Sequence, residues 1–284
     1  MTATPAAPSG LRHVATELGF FVSEAVVLVL QLAPATSAGV LVTEHLTATS
    51  DGSGAPPSVT EVAGLAGGRM HVVRADPGAL SISYESSLRA APPPVAVTGG
   101  KKSVDLDSVV ALRQSRFCPS DALAGFAAGE FAGLEPGADV AGTVADWVFE
   151  RLGYEPGASG PLDTAVDTLL AGSGVCRDFA HLTAALCRAL GIPARLAAVY
   201  APGLSPMDFH AVVEARRGGR WEVHDATRLA PRSSLVRIAT GRDAADTAFA
   251  TTLSGTVELV TARVFAIVEG DLPLDNHVSA VALA

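Results

Sequence analysis

Between Ala90 and Asp105 the chain carries three consecutive prolines, Pro92 to Pro94, and then Gly99-Gly100-Lys101-Lys102. Proline has no amide hydrogen for a sheet ladder and glycine weakens any regular element it interrupts, so no central strand runs through this stretch. Two units joined here are therefore expected. A length of 284 residues, 49% of them hydrophobic, is enough for a buried core in each.

Residues 1–17 begin with Ala, Pro, Thr and Ser and are expected to be a loose end. A β-rich domain is expected over 18–92, from short β-branched runs at Phe20–Leu32, Val40–Thr49, Met70–Val73 and Leu80–Tyr84. Asp51-Gly52 and Asp76-Pro77-Gly78 supply the turns between them. Residues 93–113 read as the connection, and 114–284 as the second domain. There the period changes to that of helices at Pro119–Phe131, Asp139–Leu152 and Leu162–Leu170, with Ser120-Asp121 and Asp139 as caps. A further helix begins near Cys176, and strands follow at Ala194–Tyr200, Phe209–Ala215, Trp221–Asp225 and Val257–Val268. Helices followed by strands predict an α+β fold.

Composition narrows the partners. Lys+Arg of 20 against Asp+Glu of 29 gives a net charge of −9, and no basic run could follow a phosphate backbone, so nucleic acid is excluded. Three cysteines without CxxC or HxxxH spacing make neither a disulfide framework nor a common zinc signature, and predict a reduced, metal-free chain. Ala25–Ala33 is apolar, but Glu24 at its start and its shortness fit a buried strand better than a signal peptide or membrane span. A cytoplasmic protein with no membrane contact is expected.

The chemistry gathers around one cysteine. Gly172-Ser173-Gly174-Val175-Cys176-Arg177-Asp178-Phe179-Ala180 passes from a glycine-rich turn into an apolar helix, which puts Cys176 in the first turn. Unpaired backbone N–H groups and the positive end of the helix dipole favour an anion there, a setting that suits a nucleophile. Asp178 would oppose this if it faced the sulfur. Cys187, eleven residues on along the same helix, is too far away for a disulfide and reads as core, and Cys118 has no base beside it.

A hairpin supplies the base. If Gly218-Gly219 forms a two-residue turn, Arg217 pairs with Arg220, and His210 and Asp225 become diagonal neighbours on one face. His224 then points to the other face, away from any joint metal site with His210. Each residue alone has a plain structural reading: a small buried thiol, a strand-edge histidine, a turn carboxylate. Together they form a nucleophile, its base and the base's orienter, with the Cys176 backbone N–H as an oxyanion donor.

At these residues the sequence resembles the bacterial transglutaminase-like proteins. Gly174-Val175-Cys176, Asp208-Phe209-His210-Ala211 and Asp225-Ala226-Thr227 match the family's Cys, His and Asp words in order and spacing. Leu190-Gly191-Ile192-Pro193-Ala194-Arg195, Gly241-Arg242-Asp243-Ala244-Ala245-Asp246 and Arg116-Phe117-Cys118-Pro119-Ser120-Asp121 look like its flanking words. The resemblance covers about residues 114 to 252 and is weaker in the β-rich part. It implies a papain-like core, a Cys-bearing helix packed on an antiparallel sheet, with Cys176, His210 and Asp225 as catalytic triad and no cofactor. It also implies acyl chemistry on a peptide or protein amide, with water or an amine as acceptor; a non-catalytic peptide-binding or scaffold protein is the alternative. Arg177 and Asp178 are candidates for supporting the site, with a solvent-facing ion pair as the equal alternative, and His181 could line the cleft but reads more as a histidine hydrogen-bonded within the fold. Val212 and Ala226 depart from the family, which often has an aromatic residue and a proline there. Oligomeric state stays open.

Overall fold

The computed structural model describes residues 10–52, 54–90, 105–134 and 138–283. The Pro-rich segment of the expected connection lies outside the described residues, as do residues 1–9 of the expected loose end.

The first sheet is built on one long strand. Along β1 (Leu11–Leu30), Arg12, Val14, Thr16, Leu18, Phe20 and Val22 are buried in strict alternation, the period of a strand with one face on a core. The loose end expected over residues 1–17 is thus corrected from Leu11 onward. The signal was masked because two of the buried positions are polar. Arg12 donates to the Ser233 carbonyl at 2.8 Å and Thr16 shares a 2.8 Å bond with the Tyr200 hydroxyl, so both are buried against the other unit. β2 (Val40–Ser50), β3 (Ser58–Ala63), β4 (Arg69–Ala75) and β5 (Gly78–Arg89) complete the order β2-β5-β1-β4-β3, all antiparallel.

The second unit opens with α1 (Leu106–Val110), inside the span expected to be connection, and Ala111 accepts from the Ala194 amide at 3.0 Å. Next come α2 (Ala124–Glu130), α3 (Val140–Arg151), β6 (Gly153–Tyr154), α4 (Ala165–Ala171), β7 (Ser173–Gly174) and α5 (Cys176–Ala189). Asp139 caps α3 as expected, through Gly142 N–H at 3.0 Å. Ser120-Asp121 do not cap α2, which starts after Leu123 with no side-chain cap, because residues 121–123 are taken up in a preceding turn. The strands are β8 (Ala194–Tyr200), β9 (Phe209–Arg217), β10 (Arg220–His224) and β11 (Val236–Gly241), in the antiparallel order β10-β9-β8-β11. α5 packs on β8 and β9, with Phe179, Leu182, Leu186 and Cys187 in a core shared with α3 and the sheet. The result is the α+β fold expected, with a Cys-bearing helix on an antiparallel sheet behind a β-rich region.

After α6 (Ala244–Thr247), β12 (Ala250–Val268) leaves this unit and pairs antiparallel with β1, from Arg12↔Val268 to Leu30↔Ala250. The boundary that kept all of 114–284 together does not hold for these residues. The two units also share a core, in which Tyr200, Val236 and Ile238 pack with Leu18, Leu28 and Tyr84. Among the described residues no helix is long and apolar enough to cross a membrane.

Candidate active site

The helix start is held in place by one carboxylate. Asp178, fully buried in the first turn of α5, accepts from the Val175 amide at 2.9 Å, from the Ser159 hydroxyl, and from Arg177 Nε and Nη2 at 3.0 and 2.8 Å. Both its oxygens are engaged in bracing the turn. Gly174 is required by that packing, because a Cβ there would lie 2.7 Å from the Asp178 Cβ. Parallel pairing of Tyr154 with Gly174 fixes the approach to Cys176, which sits half-buried as the first residue of α5. Tyr154 stands over the same turn with its ring tilted against Phe179, 5.8 Å between centroids. Burial first, then the Cys176 sulfur, raises its hydroxyl's pKa, and the Cys176 backbone N–H acts against both. Tyr154 went unnoticed in the sequence, where it precedes Cys176 by more than twenty residues.

The hairpin follows the glycine rule. Gly218 and Gly219 both have positive φ, 55° and 83°, and the turn pairs Arg217 with Arg220. His210 and Asp225 consequently meet, Nε2 to Oδ2 at 2.8 Å, both nearly inaccessible to solvent. The second Asp225 oxygen accepts from Thr227 N–H at 2.9 Å and from its hydroxyl at 2.7 Å. Thr227 is a site residue that the sequence reading missed, although Asp-Ala-Thr has the spacing of an Asx-turn. Burial opposes charge on His210, but the Asp225 carboxylate outweighs it, and the nearby Cys176 thiol adds to the effect. Together they raise the ring to about 10. Burial likewise works against the Asp225 anion, and His210 and Thr227 overcome it and hold its pKa down. The other ring nitrogen, Nδ1, is buried without a well-aligned partner, and Cys176 and His210 line the same pocket of about 170 Å³. The arrangement can hold an imidazolium beside a thiol, its orientation set by a carboxylate.

The transglutaminase-like superfamily model matches residues 125–226, a span that contains all three groups. Over 95% of its length the chain superposes on 95% of a candidate cysteine protease from Cytophaga hutchinsonii, with 31% identity and a TM-score of 0.84. The chain belongs to the transglutaminase-like superfamily. An uncharacterised protein of Mycobacterium leprae is 32% identical over 115 residues, 37% of this chain, and the match spans 40% of that relative's length. The periplasmic domain of TgpA from Pseudomonas aeruginosa is 22% identical, covering 80% of this chain and 92% of the domain, at a TM-score of 0.35.

Other transglutaminase-like words in the sequence meet behind the site. Asp243 accepts from the Phe117 amide at 2.8 Å, Cys118 donates to the His181 carbonyl at 3.5 Å, and Phe117 stacks on His181 with centroids 5.2 Å apart. His181 accepts from the Ala244 amide at 3.1 Å and is pushed down to about 4 by burial, so it is a neutral tie between α5 and α6. Arg177 braces the loop before Cys176 through the Gly160 carbonyl at 2.7 Å. His224 is buried away from His210, as the register predicts, and burial lowers it to about 4. Cys118 and Cys187 are buried thiols, each pushed up to about 12 by desolvation. The two departures, Val212 and Ala226, are both buried in the core.

Proposed function

We propose that this protein is a thiol-dependent acyl-transfer enzyme that hydrolyses an amide or peptide bond through a thioester on Cys176. The observation that carries the reading is the buried His210, held on one nitrogen by Asp225 at 2.8 Å and lining the same pocket as Cys176. His210 holds the proton given up by the Cys176 thiol, and the sulfur attacks the substrate carbonyl carbon. The oxyanion turns to the Cys176 backbone N–H at the open start of α5. The C–N bond breaks, the amine leaves with the proton from His210, and a thioester remains. Water then gives a proton to His210 and attacks the thioester. The C–S bond breaks, the acid departs, and the sulfur is left beside a protonated His210, ready for the next cycle.

Likeness to the Cytophaga candidate cysteine protease favours water over an amine as acceptor. The three free cysteines fit a reducing cytoplasmic setting. The test is mass spectrometry of a peptide library after incubation with the protein, with and without an added primary amine. Shortened or deamidated peptides that persist in the amine's presence support hydrolysis. Amine incorporation in their place identifies a transamidase, and no product at all overturns the enzymatic reading.

A further inference from the structure

The pocket beside Cys176 and His210 is walled by Leu196, Ala198, Ile238, Phe209 and Phe249. Phe209 and Phe249 stack with centroids 5.0 Å apart and rings 18° from parallel, which gives it a flat aromatic side. Polar residues on the wall turn their hydrogen-bonding groups elsewhere. Gln31 donates its amide hydrogens to the Asp246 and Ala248 carbonyls at 3.1 and 3.0 Å, and Thr247 donates to the Asp243 carbonyl. Arg177, the charged residue at the rim, is drawn to Asp178 and the Gly160 carbonyl. A dry apolar cavity of about 150 Å³ accepts a benzene-sized group, and this pocket, about 170 Å³, is of that size.

We infer that the acyl donor carries an apolar side chain, leucine- or phenylalanine-like, next to the reacting carbonyl, and that the β-rich unit helps to build the pocket that selects it. The inference rests on the thioester reading of the site. Gln31 follows β1 directly, and its backbone amide donates to the Phe249 carbonyl at 2.9 Å while its side chain donates to the Asp246 and Ala248 carbonyls just before Phe249. The first unit thereby sets where Phe249 stands. A glutamine side chain entering this pocket leaves its carboxamide without partners, whereas a leucine of similar length meets only carbon.

The test uses peptidyl chloromethyl ketones that differ only in the residue next to the ketone: leucine, phenylalanine, glutamine or aspartate. In each, sulfur displaces chloride from the methylene carbon, forming a C–S bond and releasing chloride. Iodoacetamide, which has no side chain to place, serves as the reference. The leucyl or phenylalanyl reagent should inactivate Cys176 at least ~10-fold faster than the glutaminyl one after division by the iodoacetamide rate, the low end of what an apolar pocket discriminates. Phe249→Ala should raise the phenylalanyl-to-leucyl ratio by opening the aromatic side, with folding checked by circular dichroism. Equal ketone rates with normal iodoacetamide labelling of Cys176 overturn the apolar pocket and leave the thiol reading intact. Failure of every reagent at Cys176 overturns both. A folded Phe249→Ala protein with an unchanged ratio removes Phe249, and the first unit acting through it, from selection.

Discussion

Cys176 contributes a single sulfur to the site, and the braces around it belong to Asp178, Arg177 and Gly174. Cys176→Ala should therefore abolish amide turnover while the melting temperature stays near wild type. Residual turnover in that variant would remove Cys176 as the nucleophile. The three thiols should also separate by reactivity. Cys118 and Cys187, buried and raised to about 12, hold almost no thiolate near pH 6, while Cys176 is half-buried beside a charged His210. Brief iodoacetamide treatment followed by peptide mapping should find Cys176 modified first, and His210→Ala should slow that labelling. His210 also links folding to pH. Its value in the fold, about 10, lies above the ordinary 6.5, so its ionic contribution is complete below 6.5 and fades as pH rises through 10. The gap in urea midpoint between wild type and His210→Gln should shrink from pH 6.5 towards 10, and a gap that widened with pH would reverse the assigned charge.

Short elements were legible where one or two residues decide the geometry. The Gly218-Gly219 turn set the register that brought His210 to Asp225, and Asp139 marked the start of α3 by a side-chain bond that the sequence announces. What stayed hidden depended on distant partners. Arg12 and Thr16 look like surface residues until Ser233 and Tyr200 are placed against them, and Tyr154 joins the site only through its pairing with Gly174. The start of α5 combines both kinds of evidence. Its Gly-x-Cys word was readable, but the reason for the glycine is the Asp178 side chain packed 2.7 Å from where its Cβ would stand. Gly174→Ala should displace that carboxylate from the Val175 amide and cost about 1–3 kcal/mol, the usual range for forcing an atom into a packed site. Chemical denaturation checks the stability, and activity should fall along with it.

Across the whole molecule the two units are interlocked. Tyr200 on β8 donates to the Leu32 carbonyl at 2.9 Å and shares Thr16's hydroxyl, all in the common core. Tyr200→Phe should leave those buried partners unsatisfied and cost about 1–3 kcal/mol. Because the core is shared, heat should unfold wild type in a single transition by calorimetry; two separated transitions would mean that the units melt independently. The pairing of β1 with β12 reaches further still, since it joins Arg12 to Val268 across nearly the whole chain. On a ribosome adding roughly 5–20 residues each second, the first strand waits on the order of tens of seconds for the neighbour that flanks it. Phe249, at the head of that late strand, also closes one side of the pocket. A nascent chain thus carries Cys176 well before the residues that complete the pocket beside it have been made.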